Sequence, residues 1–171
     1  EVLENPIHNL PINPSHYFCF PAKVGKSLAY IYFHRDYMNH GVSLCNLFEL
    51  AKPEEYEYKQ PDLIYVFGQK TDKKEKQTVF YHDQKNDIYV GFVARHEEID
   101  YFGYMKKMIL TLNNVKAINE NKLPIHGAMV NVTLKNGKQS NIVIVGDSGA
   151  GKSESLEAFR TLSKKYLKDM K

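Results

Sequence analysis

One stretch of eight residues, Gly146-Asp147-Ser148-Gly149-Ala150-Gly151-Lys152-Ser153, constrains the fold of this chain more than any other. It satisfies the pattern G-x-x-x-x-G-K-[ST] in full. Glycines in such a loop allow turns with positive φ and let the backbone approach an anion without a Cβ in the way. Successive N–H groups then face inward as a nest. A helix that begins where the loop ends points its positive end at the same spot. Lysine is the residue type that reaches β- and γ-phosphates, and a serine hydroxyl at the next position can hold Mg²⁺. The loop needs a strand before it and a helix after it. The apolar run Ile142-Val143-Ile144-Val145 precedes it, and the helix-forming stretch Glu154–Lys171 follows. Gly146, Asp147, Ser148, Gly149, Ala150, Gly151, Lys152 and Ser153 are therefore the expected cofactor contacts, for ATP with Mg²⁺ on Ser153.

Composition narrows the rest. The 171 residues are 43% hydrophobic and 25% charged, which is ordinary for a globular chain and excludes collagen-like, coiled-coil and wholly disordered classes. A net charge of +3 suits anionic ligands such as nucleotides and is too small to argue for nucleic acid. No run approaches the ~18 apolar residues of a membrane span. Two cysteines, Cys19 and Cys45, are too few for a disulfide scaffold. The expectation is a soluble cytoplasmic protein with reduced thiols.

Local pattern divides the chain near Glu98. Residues 1–15 hold three prolines, Pro6, Pro11 and Pro14, and read as an irregular lead-in. Short aromatic and β-branched runs predict strands at Tyr17–Phe20, Leu28–Phe33, Leu63–Phe67, Thr78–Tyr81 and Ile88–Val93. Val42–Leu50 fits strand or helix. The charged segment Gln69–Gln77 reads as a solvated hairpin tip. From Ile99 to Asn114 the pattern becomes helical, with Phe102, Met105, Ile109 and Leu112 on one face and Asp100 placed to favour the first turn. Leu123–Leu134 and Asn141–Val145 predict two strands joined by a type I′ turn at Asn136-Gly137. The predicted fold class is α+β: a β-rich N-terminal domain over 1–98, then the first part of a phosphate-loop domain over 99–171. Two look-alike segments read as ordinary strand or turn residues. Gly25-Lys26-Ser27 copies the end of the phosphate loop, but Phe20 stands where its first glycine belongs. His34-Arg35-Asp36 copies a kinase catalytic loop, but Gly41 stands where that pattern has Asn.

An antiparallel hairpin leading into a phosphate loop differs from the usual parallel βα entry. Two further segments stand before that loop: Tyr101-Phe102-Gly103-Tyr104-Met105-Lys106-Lys107, then Leu123-Pro124-Ile125-His126-Gly127-Ala128. In kind and order these resemble the ATP-dependent phosphoenolpyruvate carboxykinases, over roughly residues 86–160. The resemblance implies that Lys107 and His126 ligate a catalytic divalent ion, Mn²⁺ in many members. It implies that Tyr101 and Lys106 contact a small dicarboxylate substrate, and that Lys107, His126 and Lys152 are catalytic. A lysine can ligate only when neutral, and a nearby metal with cationic surroundings favours that form. The implied reaction decarboxylates oxaloacetate and phosphorylates the enolate to phosphoenolpyruvate.

Some residues depart from that family's pattern. Asp147 stands where carboxykinases carry an apolar residue, and Gly-Asp-Ser-Gly is similar to the loop of HPr kinases, in which a His-Gly pair like His126-Gly127 precedes the loop. Tyr104 stands where a Glu is expected. No clear counterpart of the family's substrate-binding arginine stands in 1–98, where Arg95 and Arg35 are the candidates for it. The acidic strand and later arginine that complete the family's site would fall after Lys171, so the chain as given is expected not to turn over. Three functional readings stay open: a carboxykinase, a protein serine kinase of the HPr-kinase type, and a nucleotide-binding module without chemistry. The oligomeric state and the choice of ATP over GTP carry no sequence signal.

Overall fold

The computed structural model describes residues 1–8, 10–71, 78–96, 99–134 and 136–165, and the side chains of these up to residue 162. It is an α+β chain divided into two compact units, Glu1–Lys122 and Leu123–Lys171. The predicted division at 98/99 has Glu98 outside the described residues. The contact division falls later because the intervening helix packs on the first unit's sheet.

The first unit is built on a six-stranded sheet. Its strands are β1 (Tyr17–Val24), β2 (Ser27–His34), β3 (Glu49–Leu50), β4 (Leu63–Gln69), β5 (Thr78–Asp83) and β6 (Ile88–Ala94). Their order is β3-β1-β2-β4-β6-β5. Strands β2, β4 and β6 run parallel to one another, while β1, β3 and β5 are antiparallel to their neighbours. All five predicted runs are strands, each a little longer than its apolar cluster. Val42–Leu50 divides between the end of helix α1 (Met38–Leu44) and β3. A second short helix, α2 (Pro53–Tyr56), leads toward β4.

Burial explains the order. In β2 every second residue, Ser27, Ala29, Ile31 and Phe33, is buried. In β4 and β6 the runs Tyr65–Phe67 and Tyr89–Ala94 are buried throughout, as expected of inner strands covered on both faces. One cover is helix α3 (Phe102–Asn119), which lays Met105, Met108, Ile109 and Leu112 on β4 and β6. Gly91 lets it come close, since a Cβ there would lie 2.9 Å from Met108 Cγ. The other cover is the irregular lead-in, whose Ile7, Leu10 and Ile12 pack with Val66, Phe92 and Ala94.

Several expectations change here. β4 and β5, the strands on either side of the expected hairpin tip Gln69–Gln77, do not pair with each other. Residues 72–77 lie outside the described residues, but their flanks join β4 to β5, which β6 separates in the sheet. Asp100 does not serve the first turn of α3. It precedes that helix, and its Oδ1 lies 3.0 Å from Nε2 of the buried His40. Gly25-Lys26 forms the two-residue turn between β1 and β2, with Gly25 at φ +62°.

The second unit is the hairpin β7 (Gly127–Thr133) and β8 (Gln139–Val145), the loop, and helix α4 (Lys152–Lys165), which packs on β7. Residues 166–171 of the predicted terminal helix lie outside the described residues. The hairpin turn is not type I′. Gly137 has φ +80° while Asn136 has no positive φ, Gly137 N donates to Leu134 O at 2.9 Å, and Leu134 N donates to Lys138 O at 2.8 Å. Those bonds define a three-residue loop closed by a glycine bulge. Asn136 instead uses its side chain, Oδ1 accepting from Lys138 N at 3.0 Å.

Candidate functional site

The loop between β8 and α4 has the backbone its glycines predict. Gly149 and Gly151 take φ of +80° and +78°, and nothing lies within 4 Å of where a Cβ would be. Glycine is required at those two positions by conformation, not by space. Gly146 is required by space: a Cβ there would lie 2.8 Å from Ala150 Cβ, so the loop closes on itself. A turn between Ala150 N and Asp147 O, 3.1 Å long, holds that closure.

Lys152 opens α4 and folds back over the loop. Its ammonium donates to the carbonyls of Gly146 and Asp147, both at 2.6 Å. The first turn of the helix is anchored separately, by Ser155 N at 2.9 Å and Ser155 Oγ at 2.8 Å on Gly151 O. Among the described residues, the backbone N–H groups of Ser148, Gly149, Gly151, Lys152 and Ser153 donate to no other backbone group. The loop thus combines free amide donors, a lysine ammonium and a helix N-terminus within eight residues. Backbone donors and one point charge so placed are able to accept an anion such as a polyphosphate.

The Mg²⁺ that the motif implies needs an oxygen ligand beside the loop. Ser153 is exposed beside Lys152 and offers one hydroxyl. Mg²⁺ commonly takes one or two protein ligands and fills its octahedron with phosphate oxygens and water, so Ser153 fits as that ligand. The second implied ion does not gain the same support. Among the described residues no three His, Cys, Asp or Glu side chains gather as a metal site. Lys107 belongs to the first unit and His126 to the second, where it is exposed just before β7.

The remaining predicted residues lie on or beside α3. Tyr101 and Lys107 line one hollow of about 330 Å³ together with Tyr104 and Thr111. Helical spacing accounts for this, since 104, 107 and 111 fall on one face. Lys106, one residue off that face, is not part of the lining. Sequence reading missed Tyr104 and Thr111 as wall residues, although the same spacing marks them.

Compared with protein-family models, with curated proteins and with solved structures, the chain matches none. No helix of the described residues is long and apolar enough to cross a membrane.

Proposed function

We propose that this chain binds ATP through residues 146–153 and works in a phosphoenolpyruvate carboxykinase-like phosphoryl transfer. The observation that carries the nucleotide reading is the set of free amides around Lys152. In this reading the amides of Ser148, Gly149, Gly151, Lys152 and Ser153 hold the β- and γ-phosphate oxygens. The Lys152 ammonium leaves the carbonyls of Gly146 and Asp147 for the phosphates. Mg²⁺ on Ser153 supplies charge neutralisation across the phosphates when bound. Positioning of this kind is most of what phosphoryl transfer asks of a protein.

The substrate half rests on the hollow shared by Tyr101 and Lys107. A phenol and an ammonium there suit a small carboxylate such as oxaloacetate. Loss of CO₂ from oxaloacetate leaves an enolate, whose oxygen takes the γ-phosphoryl group and releases ADP. Calorimetry with ATP and Mg²⁺ tests the first half: Lys152→Ala should weaken binding by about 10- to 150-fold, the worth of one charge-assisted contact of about 1.5–3 kcal/mol. Equal affinity would remove the nucleotide reading. Phosphoenolpyruvate formation from oxaloacetate and ATP, measured on the complete gene product with Mg²⁺ and with Mn²⁺, tests the second half. ATP binding without product would favour the module reading.

One feature supports a protein kinase of the HPr-kinase type instead: the Gly146-Asp147-Ser148-Gly149 run after His126-Gly127. Lys107→Ala separates the two. It should abolish carboxykinase turnover and leave a protein serine kinase active.

A further inference from the structure

A cavity of about 410 Å³ opens in the first unit, lined by residues remote in sequence from the 146–153 loop. It lies at the carboxyl ends of the three parallel strands: His34 ends β2, Gln69 ends β4, and Arg95 follows β6. In open sheets with parallel strands, the crevice outside the carboxyl ends is where ligands bind. The pairing of β4 with β6 shifts register between Phe67 and Gln69 at this place, as strands do at the bulges found beside binding sites.

The lining is strongly cationic. Arg35, Lys70 and Arg95 contribute three positive charges and Asp36 one negative, leaving two uncompensated, with the imidazoles of His16 and His34 beside them. Arg95 is held in place. Its Nη2 donates to Asp36 Oδ2 at 2.5 Å and to His34 Nδ1 at 2.9 Å, and its guanidinium lies 5.4 Å from the centre of the Tyr37 ring. Arg35 and Lys70 form no ion pair among the described residues. The segment His34-Arg35-Asp36 is therefore more than a turn. The 3-10 turn at Arg35–Tyr37 sets Asp36 against Arg95 and leaves Arg35 on the cavity wall.

We propose that this cavity binds the phosphate group of a small phosphomonoester, with Arg35 and Lys70 as the recruiting charges and Arg95 as the fixed one. Two surplus positive charges match the ~1.5–2 negative charges of a phosphomonoester at neutral pH. The cations come from three chain segments, the turn after β2, the end of β4 and the end of β6. Donors arriving from several sides suit a tetrahedral group with three acceptor oxygens better than a planar carboxylate. Burial, and then Arg95, hold the His34 imidazole below its ordinary pKa. A neutral His34 accepts from Arg95 at Nδ1 and keeps Nε2–H as a further donor.

The imidazole ¹H–¹⁵N resonances of His16 and His34 report this cavity and not the phosphate loop. Methyl phosphate is titrated at pH 7.5 and constant ionic strength. Both resonances should shift saturably. Arg35→Ala/Lys70→Ala should raise the dissociation constant at least tenfold, Arg35→Lys/Lys70→Arg should restore it, and Lys152→Ala should leave it unchanged. Absence of a saturable shift would overturn the proposal. So would undiminished affinity in the double alanine variant, or loss of the shift in Lys152→Ala. Succinate binding as tightly as methyl phosphate would overturn the assignment by giving the cavity to dicarboxylates.

Discussion

Replacing Gly68 by alanine tests the packing beneath the cationic cavity. Gly68 has φ +84°, and a Cβ there would lie 2.6 and 2.7 Å from two carbons of the Tyr37 ring. Two costs therefore add. A non-glycine residue at positive φ costs about 1–2 kcal/mol. Forcing a side chain into a filled site costs about 1–3 kcal/mol more. Tyr37 cannot move freely, because it packs edge-on against the buried Phe67 at 5.0 Å between ring centres and lies beneath Arg95. Gly68→Ala should thus lose about 2–5 kcal/mol. Gly25→Ala is the matched control. It has φ +62° with nothing within 4 Å of its Cβ position, so it should lose only the conformational share, about 1–2 kcal/mol. Urea unfolding followed by tyrosine fluorescence reads both, the chain having twelve tyrosines and no tryptophan. Equal losses in the two variants would refute the claim that Tyr37 occupies the space above Gly68.

The His34 imidazole should titrate below 6.5, because burial and Arg95 disfavour its charged form while Asp36 favours it and His16 and Arg35 oppose it. Arg95→Gln should raise its NMR midpoint and Asp36→Asn should lower it; the opposite pair of shifts would contradict the assignment. Since its folded pKa is depressed, the stability linked to His34 is present above pH 6.5 and falls as pH drops through the folded value. Leu112, fully buried between α3 and the sheet, should cost about 2–5 kcal/mol when cut to alanine, and a loss below 1 kcal/mol in urea unfolding would mean that α3 does not cover β4 and β6.

The strands and α3 were legible because their signals are local. Aromatic and β-branched runs give the strands, and the spacing of Met105, Ile109 and Leu112 gives the helix face. Met108 escaped that face because the helix buries a stripe wider than the residues first counted. Sheet order was not legible. Nothing near Gln69–Gln77 signals that β4 pairs with β6 and leaves β5 outside, since pairing over that distance is decided by packing on both faces. Asn136-Gly137 marked the turn correctly and its type wrongly, because Asn136 does not take the positive φ that a type I′ turn asks of it. The backbone of the 146–153 loop was legible, as each glycine answers a local demand of conformation or space. The cationic cavity was not. Arg35, Lys70 and Arg95 lie far apart in sequence and meet only because three parallel strands end together.

The central claim is that the amides of the 146–153 loop receive the phosphates of a nucleotide. Backbone ¹H–¹⁵N spectra with and without ATP and Mg²⁺ test it residue by residue. The account predicts large, saturable shifts at Ser148, Gly149, Gly151, Lys152 and Ser153, with little change at Ala150, whose N–H already bonds Asp147 O at 3.1 Å. Spectra in which those five amides stay still while ATP binds elsewhere, or in which ATP does not bind, would contradict it.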